Sequence, residues 1–218
     1  MIQTSPIFAV PFGNVMHPQA PKLNTALRAL FLTREAEGAK WAKPDSTMRV
    51  NPGLFESHFD LFKWPEPEIA QLREFCWTYL HQFVAGLSTL PTAQTNALEI
   101  SADVWFHVTR RGGYFGLHNH PMASWSGVYC VDAGRDDGSH PDGGALTFAN
   151  PLSLAAMFLD PANAAMRSPY NATNRSFKLT PGQLLVFPSW LQHYVQPFHG
   201  DGERITVAFN AWFNAPPT

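Results

Sequence analysis

Two histidines separated by one residue, His118 and His120, begin an apolar stretch that continues to Gly134. Side chains two positions apart on a β-strand point to the same face, so both imidazoles could bind one metal ion. A third histidine, His193, lies in the distant segment FPSWLQHYVQPF. Such a set favours a facial site with open positions for substrates, whereas a closed zinc site would require a fourth ligand. The alternative is that these histidines end a strand and bind nothing.

A second polar group occurs in GERITVAFNAWF. Arg204 follows His193 across the turn FHGDGE, which predicts that the two residues lie on neighbouring antiparallel strands of one hairpin. On the returning strand Arg204, Thr206 and Asn210 would share one face. A buried arginine is costly unless it is paired, and a bound dicarboxylate would pair with its guanidinium. A salt bridge to an internal Asp or Glu, or a place in the turn itself, would also explain Arg204.

The elements that must position these residues differ between the two halves of the chain. Apolar residues at helical spacing predict helices over 22–36 and 66–87, and SPIFAVPF predicts a short strand over 5–12. After Leu98, alternating β-branched and aromatic segments separated by turns predict a β-sandwich or barrel. We therefore expect a mainly β protein whose flanking helices cover one outer face of a sheet. Residues 1–97 would support a core formed by 98–218, within one compact domain.

Composition limits the function classes. A net charge of -2 without a basic stripe gives no reason to expect nucleic acid as a partner. No apolar run is long enough to span a membrane, and the N-terminus lacks the features of a signal peptide, so we expect a soluble cytoplasmic protein. The only two cysteines, Cys76 and Cys130, fall in a helical and a strand pattern, which predicts two free buried thiols.

Three segments, HNHPMASWSGVYCVDA, GALTFANP and PGQLLVFPSWLQHYVQPFHGDGERITVAFN, resemble the Fe(II)- and 2-oxoglutarate-dependent oxygenase superfamily. Within it they are most similar to a bacterial and phage 2OG-Fe(II) oxygenase branch. The resemblance covers roughly residues 98–214 and is most specific in its C-terminal half. It implies a double-stranded β-helix (jelly roll, cupin-like), an HxD/E…H iron triad, and an Arg-x-Ser/Thr clamp for the distal carboxylate of 2-oxoglutarate. Arg204 and Thr206 match the clamp.

One position departs from the family pattern, because His120 stands where the triad has a carboxylate. Either His118, His120 and His193 all bind the iron, or only His118 and His193 bind it and water completes the shell. The resemblance further implies a dioxygenase that uses O2 and 2-oxoglutarate. It would hydroxylate a small-molecule or amino-acid-type substrate and release succinate and CO2. Ser126 and Asn210 are further predicted contacts of the co-substrate, although Asn210 could instead cap a strand at the barrel rim.

Two other functions stay open on the sequence. A cupin-like metal enzyme could use the three histidines without 2-oxoglutarate, and Arg204 would then be irrelevant to a co-substrate. A jelly-roll binding module would have no catalytic role for His118 or His193. Trp105 could wall the pocket or belong to the core, and segment 39–64 could cover the substrate or pack beneath the helices. A homodimer is also left open.

Overall fold

The computed structural model describes residues 2–45, 51, 53–152, 158 and 160–215. Its strands are β1 (Gly13–Met16), β2 (Leu54–Glu56), β3 (Glu99–Thr109), β4 (Phe115–His118), β5 (Trp125–Arg135), β6 (Leu146–Phe148), β7 (Arg175–Phe177), β8 (Gln183–Pro188), β9 (His193–Val195) and β10 (Asp201–Asn214). Its α-helices are α1 (Ala20–Ala36), α2 (Pro67–Leu87), α3 (Thr92–Asn96) and α4 (Pro161–Ala164).

The strands form two antiparallel sheets. The larger sheet has the order β1-β8-β5-β10-β3-β2, and the smaller one has the order β4-β9-β6-β7. Strands that follow each other in the chain, such as β8, β9 and β10, therefore alternate between the sheets. This alternation is the arrangement of a double-stranded β-helix. The predicted fold, mainly β with flanking helices, is confirmed.

The helices cover the outer face of the larger sheet. Leu23, Leu27 and Phe31 are buried at positions spaced by four along α1, so they form one apolar face. They pack in one core with the buried face of α2 and the outward-facing residues of the sheet, among them Phe106. Phe31 stacks on Phe106 with ring centroids 4.3 Å apart. The predicted helices over 22–36 and 66–87 are thus confirmed.

Side chains alternate between the two faces of the larger sheet. On β3, Val104 and Phe106 face the helices, whereas Trp105 and His107 face the pocket between the sheets. A second, smaller apolar cluster lies next to this pocket, and Leu146 and Phe187 belong to both; its buried members are Cys130, Leu146, Phe148, Leu179, Leu185, Phe187 and Leu191. The inner face is therefore apolar except at the few positions that form the site.

The predicted strand over 5–12 is wrong. The first strand begins only at Gly13, where β1 pairs with β8. Pro6 and Pro11 have no backbone N–H to donate to a neighbouring strand. Ile7 and Phe8 are almost fully exposed. The apolar alternation of this segment thus has no sheet against which to pack.

The predicted hairpin between His193 and Arg204 is also wrong. His193 lies in β9 of the smaller sheet, and Arg204 lies in β10 of the larger one. The connection crosses between the sheets, and it is fixed where the N–H of Phe198 donates to the carbonyl of Gly113. At Gly200 a Cβ would collide with the backbone carbonyl of Arg135, so the close passage requires glycine.

Cys76 and Cys130 are free and buried, as predicted. In the described part of segment 39–64, Trp41 packs against Trp64 and joins the helical core. Among the helices in the described ranges, none has the length and apolar composition that a membrane crossing requires.

Candidate metal centre and co-substrate pocket

Three histidines converge between the two sheets. His118 ends β4 and lies directly opposite His193, the first residue of β9. His120 lies in the turn after β4, where its backbone N–H donates to the carbonyl of Ser189. The ring centroids are 4.3 Å apart for His118 and His193, 4.9 Å for His118 and His120, and 5.2 Å for His120 and His193. One nitrogen from each ring lies within 4.8 Å of the other two, so the group could hold one metal ion.

Backbone carbonyls select the tautomers of two of these rings. Nδ1 of His118 lies 2.7 Å from the carbonyl oxygen of Gly116, and Nδ1 of His193 lies 2.8 Å from that of Leu191. A carbonyl can only accept, so each Nδ1 carries the proton and donates. The lone pair of each neutral ring is therefore on Nε2, the tautomer that a metal ligand needs.

Burial keeps the three imidazoles neutral. Burial, and secondarily the neighbouring His118, lowers the pKa of His193 to about 3. The same two causes, in the same order, lower the pKa of His120 to about 4. The pKa of His118 is lowered mainly by burial, although its bond to Gly116 opposes the shift. Neutral imidazoles are ready to bind a cation without first releasing protons.

Arg204 is a buried cation on β10. Its residue is only 5% exposed, and no described residue forms an ion pair or a hydrogen bond with its guanidinium. Burial lowers its pKa, but a guanidinium still remains charged at neutral pH. Within the described ranges, the two alternatives from the sequence, an internal salt bridge and a place in the turn, therefore do not apply. A buried cation without a counter-ion requires an anion from outside the protein.

One pocket contains the histidines and Arg204 together. Thr206, buried next to Arg204 on the same face of β10, also lines it. The remaining wall is largely apolar and includes Phe115, Leu146, Phe187, Val195 and Ala208. Trp105 serves both roles weighed for it, because it lines the pocket and stacks on Phe59 in the interior.

A chain of hydroxyls leads to Asn210. The hydroxyl of Ser126 donates to Oδ1 of Asn210 at 2.7 Å and lies 2.8 Å from the hydroxyl of Ser189. Since Ser126 has a single proton, Ser189 is the donor in the second bond. The side-chain oxygen of Asn210 is thus occupied, and its amide protons have no acceptor among the described residues. Ser126 and Asn210 both line the pocket.

Sequence reasoning missed three residues near the site. His107 lines the pocket, where its Nε2 lies 3.1 Å from Nε1 of Trp105, which donates. The buried carboxylate of Glu56 lies 3.4 Å from the same nitrogen. Ser189 orients the hydroxyl chain. A possible signal for His107 was its position two residues from Trp105 on one strand face, whereas Glu56 and Ser189 had none.

The donor set suits Fe(II) and 2-oxoglutarate. Three neutral imidazoles are suitable ligands for Fe(II), and three ligands on one side leave positions for a chelating co-substrate. An unpaired buried guanidinium in the same pocket suits the second carboxylate of a dicarboxylic acid.

Comparisons with known proteins agree with this chemistry. The family model described as "Putative 2OG-Fe(II) oxygenase" matches residues 103–210, about half of the chain and all seven predicted site residues. No curated protein matches the chain.

Solved structures share the fold at low sequence identity. A prolyl-4-hydroxylase from Pseudomonas putida aligns with a TM-score of 0.60 and 20% identity over 95% of this chain and 94% of its own. AviO1 from Streptomyces viridochromogenes aligns with a TM-score of 0.58 and 17% identity over 96% and 92%. HygX from Streptomyces hygroscopicus, solved with nickel, 2-oxoglutarate and hygromycin B bound, aligns with a TM-score of 0.53 and 13% identity over 95% and 83%.

The family match and the site chemistry lead to one conclusion. A non-enzymatic binding module does not account for a match to an oxygenase family over the segment that carries the converging histidines and Arg204. The chain belongs to the 2OG-Fe(II) oxygenases, a family of oxidoreductases that use Fe(II) and 2-oxoglutarate.

Proposed function

We propose that this enzyme binds Fe(II) through His118, His120 and His193 and binds the distal carboxylate of 2-oxoglutarate through Arg204 and Thr206. It would hydroxylate a small-molecule or amino-acid-type substrate and release succinate and CO2. One observation carries the proposal: a single pocket joins three convergent imidazoles with a buried guanidinium that lacks a counter-ion among the described residues.

All three histidines are proposed as ligands, rather than two with water. The ring of His120 packs against both other rings, and burial keeps it neutral at physiological pH. Three neutral ligands leave the full charge of Fe(II) uncompensated, unlike a triad with a carboxylate. Such a centre favours a dianionic co-substrate more strongly, since opposite charges attract strongly where water is excluded.

Arg204 and Thr206 set the orientation of the co-substrate. Arg204 can accept a carboxylate in a bidentate pair, and the Thr206 hydroxyl can donate one further hydrogen bond. Both side chains are already buried, so little solvent reorganisation accompanies binding. Phe187 and Val195 form part of the apolar wall that keeps water from the pocket.

Fe(II), when bound, supplies the activation of O2 that couples decarboxylation of 2-oxoglutarate to oxidation of the substrate. Asn210 would donate its free amide protons to the co-substrate or the substrate. Ser126 would hold that amide in orientation through the bond to Oδ1. The protein thus contributes binding, orientation and exclusion of water.

We propose residues 98–218 as the catalytic core, since all seven predicted site residues lie there. Residues 1–97 would support it, because α1 and α2 pack on the larger sheet and β1 and β2 form its edges. A cytoplasmic location and the absence of a nucleic-acid or membrane partner stay predictions, and a homodimer stays open.

Anaerobic titration with Fe(II) and then 2-oxoglutarate tests the assignment. Chelation of iron by the keto acid should give a weak visible charge-transfer band without any substrate. We expect the band in the wild type and in Arg167→Leu, an exposed control. Arg204→Leu should lose the band at the same concentrations. If the wild type binds iron but shows no charge-transfer band with 2-oxoglutarate, the cupin-like enzyme is favoured. If the wild type binds no iron, the metal centre is refuted.

A further inference from the structure

A second pocket, of about 240 Å³, adjoins the first and shares His120 and Asn210 with it. Its other walls include Asp103 on β3, Trp212 on β10 and the turn residues Asn119 and Met122. Because His120 belongs to the metal centre, a molecule held here would lie beside the reacting position. This position makes the second pocket the candidate site for the substrate.

Asp103 gives this pocket its charge. It lies directly opposite Asn210 in the pairing of β3 with β10. It shares the inner face of β3 with Trp105 and His107, which lie two and four residues further along the strand. No described residue forms an ion pair or hydrogen bond with its carboxylate. The pocket lining contains no lysine or arginine. The Asp103 side chain is exposed to solvent at the mouth of the pocket, so its carboxylate is accessible to a cation from outside.

The neighbouring groups also suit a cation. The amide nitrogen of Asn119 donates to the carbonyl of Trp190 at 3.3 Å, which leaves the side-chain oxygen of Asn119 as an acceptor. The aromatic ring of Trp212 can attract a positive charge at its face. Met122 is 91% exposed and adds a polarisable apolar surface. An ammonium group has donors for both acceptors and a charge for the ring.

We propose that the substrate carries a protonated amine, and that Asp103 and Trp212 bind it in this second pocket. This inference rests on the proposed function, because it takes the metal centre as the place of reaction. Asp103 acts as a specificity determinant here. It makes no contact with the predicted site of 2-oxoglutarate, since it does not line the first pocket.

Amine probes in the anaerobic holoenzyme test the inference. The probes are putrescine, cyclohexylamine, pyrrolidine and L-lysine, each paired with the N-acetyl derivative in which every amine is acetylated. Substrate binding beside the iron should shift the charge-transfer band of the Fe(II)–2-oxoglutarate complex. We expect one or more amines to shift the band and their N-acetyl derivatives to fail.

Variants assign the effect to Asp103. Asp103→Asn should raise the half-saturating amine concentration about two- to fivefold, as expected for a solvent-exposed charged pair. Trp212→Leu should raise it about two- to fivefold. Asp142→Asn makes the same change of charge in an exposed loop outside the pocket, and it should have no effect. In each variant the half-saturating concentration of 2-oxoglutarate should be unchanged.

Three outcomes would overturn the inference: no amine shifts the band, the N-acetyl derivatives act as well as the amines, or Asp103→Asn binds the amines like the wild type. Failure of the proposed function would be recognised separately, because the wild type would then show no charge-transfer band at all.

Discussion

His118 and His193 lie directly opposite each other on antiparallel strands, with ring centroids 4.3 Å apart. The two residues come from distant parts of the chain, and the pairing of β4 with β9 alone brings them together. His120 then reaches the same place from the turn beyond β4. The smaller sheet and the turn after β4 therefore supply the proposed metal ligands, and the larger sheet supplies Arg204, across the interior.

Replacement of His120 tests the number of ligands. His120→Ala should weaken Fe(II) binding by more than about 100-fold, since even changes outside the ligand shell cost up to that factor. His120→Asp should retain iron, because it restores the carboxylate of the usual triad. Equilibrium dialysis with iron analysis measures both. Wild-type affinity in His120→Ala would show that two histidines and water suffice.

Substitution of Arg204 by lysine tests bidentate recognition. Arg204→Lys keeps the positive charge but loses the planar fork of donors. We expect the KM for 2-oxoglutarate to rise about tenfold, which corresponds to about 1.4 kcal/mol. Fe(II) affinity should not change. An unchanged KM would mean that the pocket requires only a positive charge, or that the co-substrate binds elsewhere.

The hydroxyl of Ser126 is predicted to orient Asn210. Ser126→Ala removes the donor to Oδ1 of Asn210 and should lower the free energy of unfolding by about 1 kcal/mol. Without this bond the Asn210 amide is less well oriented, so decarboxylation of 2-oxoglutarate should be coupled less tightly to oxidation of the substrate. With a substrate in hand, the variant should form more succinate per hydroxylated product. Ser176→Ala, which removes an exposed partner of Thr147, serves as the matched control. Equal behaviour of the two variants would argue against an orienting role.

The stability of the metal-free enzyme should depend on pH through His193. The pKa is lowered from about 6.5 in the unfolded chain to about 3 in the folded one. Below pH 6.5 the unfolded chain binds a proton that the folded state cannot bind, so the free energy of unfolding decreases as the pH is lowered. Above pH 6.5, His193 is neutral in both states and no stability is lost through it.

For His193 alone, the loss between pH 7.5 and 5.0 should be about 2 kcal/mol. Urea unfolding with a chelator present measures it in the wild type and in His193→Gln. The variant should show a shallower pH dependence, and the other histidines whose pKa burial lowers, His17, His118 and His120, should supply what remains. Identical slopes in the two proteins would place the proton uptake at other groups.

The sequence predicted the parts of the site that have a spacing signal. Arg204 and Thr206 stand two residues apart and do share one face of β10, as strand periodicity indicated. The expectation that His118 and His120 share a strand face is wrong, because β4 ends at His118; His120 reaches the same place from the turn that follows. The hairpin was wrong because the length of a connection does not show whether it turns back or crosses to another sheet. The chain crosses from the smaller to the larger sheet near Phe198 and Gly200, and this crossing places His193 and Arg204 in different sheets.

His107 and Asp103 were missed for a different physical reason. Nothing in the sequence distinguishes Asp103 from a surface residue, and the one signal for His107 was its position two residues after Trp105 on β3. The register of β3 with β10 places His107 opposite Thr206 and Asp103 opposite Asn210. Pairing between strands so distant in sequence depends on the whole sheet, which local patterns do not encode.

A crystal structure of the anaerobic complex with Fe(II) and 2-oxoglutarate, with anomalous data at the iron edge, tests the central claim most directly. We predict one anomalous peak about 2.1 Å from an imidazole nitrogen of each of His118, His120 and His193. The distal carboxylate of 2-oxoglutarate should pair with Arg204. A peak away from His120, or a carboxylate that does not reach Arg204, would contradict the account.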